Sequence, residues 1–305
     1  MTITHPDKVL FPDDGITKAE LADYYLAVAP LMLPLVSGRP VAMQRFPNGI
    51  GRGGFYQKQA ADYFPDWIER VTAPNRRTRG STTRDEVTYM VCRHPDDLVY
   101  LANQACVTPH VWLSRAPDVH HPDLLVFDLD PASADPRVLK LAAASLHELL
   151  DELGLASFLK STGSRGLHVV VPLVPAADTD EVNVFSQAVA DVLAARHPDD
   201  LTTEGRIAKR HGRLYLDTGR NGYAQHMAAP YAVRALPGAP VSVPLDWSEL
   251  DDFDPRRHTL RTIDERLELP DPWAGIDKAA STLDRAHARL VKLGGAGQAG
   301  STGSE

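Results

Sequence analysis

The chain has 305 residues, 43% of them hydrophobic, enough for a sizeable core in one large domain or two smaller ones. Its net charge of -8 argues against a protein that coats nucleic acid by bulk charge. Two cysteines, Cys92 and Cys106, cannot build a disulfide framework. No apolar run is expected to span a membrane, and MTITHPDKVL has no signal-like apolar region, so a reduced cytoplasmic setting is the expectation. The charge is uneven. Between Arg39 and Arg93 stand ten bases against five acids, which reads as a local basic face for an anionic partner; Asp246 to Asp271 is acid-rich.

At the start, Thr17 and Glu20 form a capping box. Leu21, Tyr24, Tyr25 and Val28 follow at helical spacing, so a helix is expected to about Pro34. Lys8 and Lys18 flank its beginning, where lysines and free backbone N–H groups can hold a phosphate. Solvated surface lysines are the ordinary alternative. Val41 to Arg45 reads as a strand, and Pro47 to Gly54 as a Gly-rich loop carrying Arg52. Phe55 and Tyr56 end that loop, and adjacent aromatics near Arg45 and Arg52 can stack on bases. For either ring alone, burial as a strand resumes is the competing reading.

Residues 86–92 read as a strand, 96–105 as a helix and 106–114 as a strand. Cys92, His94, Cys106 and His110 could be combined as a zinc set, but their apolar flanks favour buried cysteines. His110, close in sequence to the next segment, is kept as a site candidate. That segment, DLLVFDLDP at 123–131, is a short apolar run ending in Asp128 and Asp130. Strand side chains alternate, so both carboxylates share a face and raise each other's pKa unless a cation intervenes. Hard divalent cations take such oxygen ligands. A helix-capping Asp at a solvated strand end is the plainer alternative.

Val138 to Leu153 has helical periodicity closed by Gly154, and 156–173 reads strand, loop, strand. The loop STGSRG offers glycines and N–H groups that can seat a phosphate, with Arg165 adding charge. It lacks the Walker spacing. His168 follows on the second strand. Residues 180–197 read as a helix, and Leu214 to Leu216 as a short strand ending in Asp217, a third carboxylate. A strand is expected at Tyr231 to Arg234, then proline turns, an acidic linker and a last helix to about Leu293. Residues 294–305 read as a flexible Gly/Ser tail.

Taken together, HPDKVLFP with Thr17-Lys18, RFPNG, FYQKQ, LVFDLDP, TGSRGLHVVVPL, RLYLDTGRNG and APYAVRA resemble the polymerase domain of bacterial non-homologous end-joining ligase D. That domain is a branch of the archaeo-eukaryotic primase superfamily. The likeness covers nearly the whole chain to about Leu250, in order, and suggests a stand-alone member in one domain, 1–293. It implies an α+β fold of mixed and antiparallel sheets, with an RRM-like primase-polymerase catalytic core flanked by helices. It also implies a template-dependent polymerase that fills short gaps or extends ends in DNA repair and favours ribonucleotides. By the same resemblance, Asp128, Asp130 and Asp217 hold two divalent metals, Mn²⁺ or Mg²⁺. The loop Thr162, Gly163, Ser164, Arg165 and Gly166, with His168, grips the incoming triphosphate, and His110 and Arg234 line the nucleotide site. Lys8 and Lys18 take the 5′-phosphate of a downstream strand, and Phe55 and Tyr56 pack on template DNA. A separate DNA ligase and end-binding proteins are the implied partners, at the bacterial nucleoid. The chain departs from the family pattern at Ser161-Thr162-Gly163, at Arg165 where lysine is usual, at Gln44 and at His226.

Two readings of other classes compete. VFDLD resembles the nucleophile strand of haloacid-dehalogenase-like phosphatases, although Pro131-Ala132 follows where Gly-Thr is usual. A non-catalytic DNA-end binding module would use Lys8, Lys18 and the aromatics alone.

Overall fold

A computed structural model describes residues 1–75, 85–131 and 136–298. Arg76, Arg77, Arg79 and Arg84 of the basic stretch, and the tail from Ala299, lie outside these residues. The chain opens on a hairpin of β1 (Val9–Phe11) and β2 (Ile16–Thr17), too short for alternation to reveal in sequence. Helix α1 (Lys18–Val36) starts at the expected box: Glu20 N donates to Thr17 Oγ1 at 3.2 Å, and Thr17 N to Glu20 Oε2 at 2.8 Å. By length and composition α1 is apolar enough to cross a bilayer, contrary to the expectation of no such stretch. Here it is a core helix: Leu21, Tyr25 and Val28 are fully buried and it packs on α2 (Pro95–Asn103).

One sheet takes β3 (Pro40–Arg45), β4 (Phe55–Gln57), β5 (Arg70–Pro74), β6 (Glu86–Val91) and β7 (Cys106–Trp112). The second is built on β8 (Leu124–Asp130). After α3 (Pro136–Leu153) come β9 (Phe158–Ser161) and β10 (Leu167–Pro172). After α4 (Thr179–Arg196) come β11 (Leu201–Thr202) and β12 (Leu214–Asp217). β13 (His226–Ala228) returns to the first sheet beside β7. β14 (Ala232–Val233) pairs with β15 (Val241–Ser242), and β16 (Pro244–Leu245) closes the second sheet, whose order is β11-β12-β8-β10-β9-β16. Only the β11–β12 pair of that order is parallel. Helices α3 and α4 pack on this sheet, and the α+β class with mixed and antiparallel sheets holds.

Two sequence expectations change. Arg39 belongs to no basic face. It is fully buried and forks onto Asp123 at 2.6 and 2.8 Å, while Arg115 reaches the same carboxylate at 2.7 Å. This network ties the start of β3 to the start of β8. The stretch after Asp246 is no linker. Ile263, Trp273 and Ile276 are buried in the core, and Trp273 Nε1 donates to Leu159 O at 2.9 Å. Its apolar residues come at irregular spacing among turns and the short α5 (Asp264–Leu267), which hides them from periodicity. The last helix, α6 (Asp284–Gln298), runs past Leu293. Cys92 and Cys106 are buried, unpaired thiols, and burial pushes both pKa values up.

Candidate active site

Strand register assembles the site. On β8, Asp128 lies opposite Asp217 of β12 on one side and His168 of β10 on the other; His168 in turn lies opposite Lys160 of β9. Directly opposed residues of antiparallel strands point to the same face. One row across four strands therefore reads Asp217, Asp128, His168, Lys160, with Asp130 two positions along β8.

The two acids of β8 do not behave alike. Burial works to raise the Asp128 pKa, but His168 and Arg220 outweigh it and hold the carboxyl well below the usual range. Arg220 Nε donates to Asp128 Oδ2 at 3.3 Å, and His168 Nε2 lies 3.6 Å from Oδ1. Burial, with the Asp128 charge, raises the Asp130 pKa even though Arg165 stands 3.5 Å away. Burial, with Lys160 nearby, takes His168 down to about 4. Among the described residues no three His, Cys, Asp or Glu side chains already form a metal cage. Asp217 Oδ1 is turned to Gly219 N at 2.8 Å. The donor set still fits hard divalent cations: three carboxylates share one face, and arginines now balance two of them.

The triphosphate-loop candidate, 162–166, curls on itself. Thr162 Oγ1 accepts from Gly166 N at 3.1 Å and Ser164 N at 3.3 Å, and donates to Gly166 O at 3.0 Å. Those two amides are therefore spent inside the turn and are not the expected phosphate seat. A hydroxyl at the head of a tight turn captures the amides behind it. A Cβ on Gly166 would come within 2.2 Å of Leu129 O, so only glycine lets the loop lie against β8. Gly163 has φ +62 and faces Arg234, whose Nη1 donates to Thr162 O.

The cleft between loop and acids holds about 160 Å³ and is lined by His110, Asp128, Asp130, Arg165, Arg220 and Arg234, among others. Whole-ligand pockets start at roughly 300 Å³. The cleft therefore suits a phosphate tail, with room for anything larger only at its rim. At that rim Tyr56 Oη shares a 3.2 Å hydrogen bond with His110 Nε2. The rings of His110 and His226 lie 5.0 Å apart. His110 is buried, which drives its pKa well below the usual range, so it lines the cleft as a neutral ring whose buried Nδ1 has no partner. Phe55 and Tyr56 are 50% and 49% exposed, so neither ring is buried by the resuming strand.

At the helix start, Lys18 is buried with Nζ donating to Thr4 O at 2.7 Å, and Lys8 is exposed. Burial, with the charges of Lys8 and Arg45, lowers the Lys18 pKa. The first-turn amides are not free: Lys18 N donates to Lys8 O and Ala19 N to Pro6 O, at 2.9 and 3.0 Å. Any anion seat here is made by side chains. Arg45 is itself turned onto Gln104 O at 2.7 Å, while Arg52 is exposed in its loop.

Sequence reasoning passed over three residues. Arg220 was only one base among several in RIAKRHGRLYLDTGRNG. Asn221 pairs through its amide with Val126 N and O, both at 2.8 Å, where β12 has ended, and so sets Arg220 beside Asp128. Lys160 is fully buried, donating to Ser161 O and Ala228 O at 3.3 Å and to Ser242 Oγ. A lysine within an apolar strand was the one available signal for it.

Paired acids on a sheet face, beside an arginine-lined cleft of phosphate-tail size, are an arrangement suited to phosphoryl transfer with a nucleotide. The chain belongs to the LigD primase-polymerase domain family, whose profile matches residues 17–273. It is therefore a polymerase domain, as the resemblance implied, and the phosphatase alternative falls. It is 33% identical over 287 residues to the multifunctional non-homologous end joining protein LigD of Mycolicibacterium smegmatis, covering 93% of this chain and 37% of that protein. With the bifunctional non-homologous end joining protein LigD of Bacillus subtilis it shares 30% identity over 271 residues, 88% of this chain and 42% of that one. The chain thus spans well under half the length of these relatives. A solved structure, the polymerase domain from Mycobacterium tuberculosis ligase D in complex with DNA, matches with a TM-score of 0.82 at 31% identity. The match covers 92% of this chain and 99% of that one.

Proposed function

We propose that this chain is a template-directed DNA-repair polymerase that fills short gaps or extends broken ends with nucleoside triphosphates. The observation that carries the reading is Asp128, Asp130 and His168 lining the arginine-bearing cleft, with Asp217 opposite Asp128 on the neighbouring strand. Asp128, Asp130 and Asp217 are the residues that would hold two divalent cations, Mn²⁺ or Mg²⁺, and such ions supply charge neutralisation at the primer hydroxyl and at the leaving pyrophosphate. Arg165, Arg220 and Arg234 neutralise the triphosphate, Ser164 and Thr162 shape the loop around it, and the neutral His110 lines the nucleotide site. Lys8 and Lys18 take the downstream 5′-phosphate, and Phe55 and Tyr56 meet the template, with Arg45 and Arg52 beside them. Work in the cytoplasm at the nucleoid, with a separate ligase and end-binding proteins, belongs to the same proposal.

Primer extension on a gapped duplex tests it, with Mn²⁺ against Mg²⁺ and ribo- against deoxynucleotides. Template-directed addition is expected, best with Mn²⁺, with ribonucleotides inserted at least as readily as deoxynucleotides. A strong deoxynucleotide preference under Mn²⁺ overturns the sugar choice. DNA binding with no metal-dependent synthesis would return the chain to a binding module.

A further inference from the structure

Every exposed Phe, Tyr or Trp among the described residues lies between positions 55 and 67: Phe55, Tyr56, Tyr63 and Trp67, at 50%, 49%, 64% and 51% exposure. Exposed rings are common as single residues, but four in one short stretch form a surface. Two are tied together by one cation. Arg45 Cζ lies 5.7 Å from the Phe55 ring centroid, and its Nη1 donates to Tyr63 Oη at 3.3 Å. Tyr63 Oη in turn donates to Gln104 Oε1 at 3.2 Å, and the Tyr63 ring meets the buried Phe64 edge-on at 5.2 Å. The ring is thus held at its hydroxyl and at one edge while most of its surface stays in solvent. A side chain so fixed has already lost the rotamer freedom that a stacking partner would otherwise cost it.

The charge nearby selects the occupant. Lys18 Nζ donates to Thr4 O, Thr4 N donates to Asn103 Oδ1, and the next residue, Gln104, receives both Arg45 and Tyr63, so the platform adjoins the cationic site proposed for a 5′-phosphate. Phe55 shares its face of β4 with Arg45, while the next ring, Tyr56, goes to the other face and reaches His110 beside the nucleotide cleft. A stacking face beside a phosphate seat suits the first base behind that phosphate.

We infer that Tyr63 is a stacking platform for the 5′-terminal nucleotide of the downstream strand, oriented by Arg45 and Gln104. The inference rests on the proposed polymerase function and specifies a DNA contact within it. Tyr63 would thereby add affinity for gapped over simple primer–template substrates, in concert with the lysines.

The test uses a gapped duplex with 2-aminopurine at the 5′-terminal position of the downstream strand, whose fluorescence falls when it stacks. The full chain is expected to quench it on binding, Tyr63→Phe, which keeps the ring but loses both hydroxyl bonds, to keep part of the quench, and Tyr63→Ala to lose most of it. In Tyr63→Ala the ratio of affinities for gapped duplex and primer–template should fall about tenfold, within the usual range for one base–aromatic stack. Tyr63 is largely exposed, so the variant should fold, and a thermal melt checks this. Equal quenching by the wild type and Tyr63→Ala, while the wild type still prefers a 5′-phosphorylated gap, overturns this inference alone. A wild type that does not bind gapped DNA overturns both it and the polymerase reading.

Discussion

Lys160 makes the site's electrostatics measurable through stability. Its ammonium is fully buried, and burial, with the charge of Arg234, lowers its pKa from 10.5 to about 7. Asp128 opposes the shift without cancelling it. Between those two pH values the unfolded chain holds a proton that the folded chain has released. Stability therefore rises with pH through this window and is lost as pH falls toward the folded value. A difference of ~3.5 units at ~1.4 kcal/mol each makes the full effect on the order of 5 kcal/mol. Lys160→Met abolishes the titration. It also removes hydrogen bonds to Ser161 O, Ala228 O and Ser242 Oγ, which lowers the variant's curve, while the slope against pH reports the proton. Urea melts of both proteins between about pH 7.5 and 9.5 should show the wild type gaining on the variant by about 1 kcal/mol per pH unit. Parallel stability curves would refute the reasoning, since they would mean that the amine titrates alike in the folded and unfolded chain.

Three more outcomes are expected. Asp128→Ala and Asp217→Ala should each abolish nucleotide addition in primer extension while circular dichroism and the melt stay native; full activity in Asp217→Ala would remove it from the site. Wild-type protein should bind a gap with a downstream 5′-phosphate more tightly than the same gap with a 5′-hydroxyl, less so as salt rises, and Lys8→Ala with Lys18→Ala should shrink the difference. Equal wild-type affinities at low salt would mark the two lysines as plain surface charges. Arg39→Met should cost about 3–5 kcal/mol in urea melts because it leaves Asp123 beside Arg115 alone; a loss under ~1 kcal/mol would mean that the network relaxes around the change.

Features set by neighbours in sequence were legible. The Thr17–Glu20 box, the α3 and α4 stripes and the D-x-D at the end of β8 each need only local spacing, and each is where the sequence places it. Asp217 could be named as a third acid, but its place opposite Asp128 depends on a register set by strands about ninety positions apart in the chain. Burial of charge was the least legible feature. Arg39 looks like one surface base among ten because its partner, Asp123, lies 84 positions away. Lys160 sits in an apolar strand with nothing local to say that Ser242 and Ala228 will receive its ammonium. The amides of the helix start and of the Thr162 loop looked available because sequence does not show Lys8 O, Pro6 O or Thr162 Oγ1 turning to meet them. Arg220 gains its role from Asn221, a polar residue that completes the edge of β8.

The two thiols carry a practical consequence. Cys92 follows β6 and Cys106 opens β7; both are buried and held protonated, so a maleimide meets neither in the folded chain. A cysteine placed at the exposed Asp62, next to the aromatic surface, would then be the sole fast-reacting thiol and could carry a dye. Left as they are, the native pair become a clock. Their slow modification counts how often the layer of α1 and α2 lifts from the sheet beneath, and DNA seated on the Phe55–Tyr63 face should slow that count.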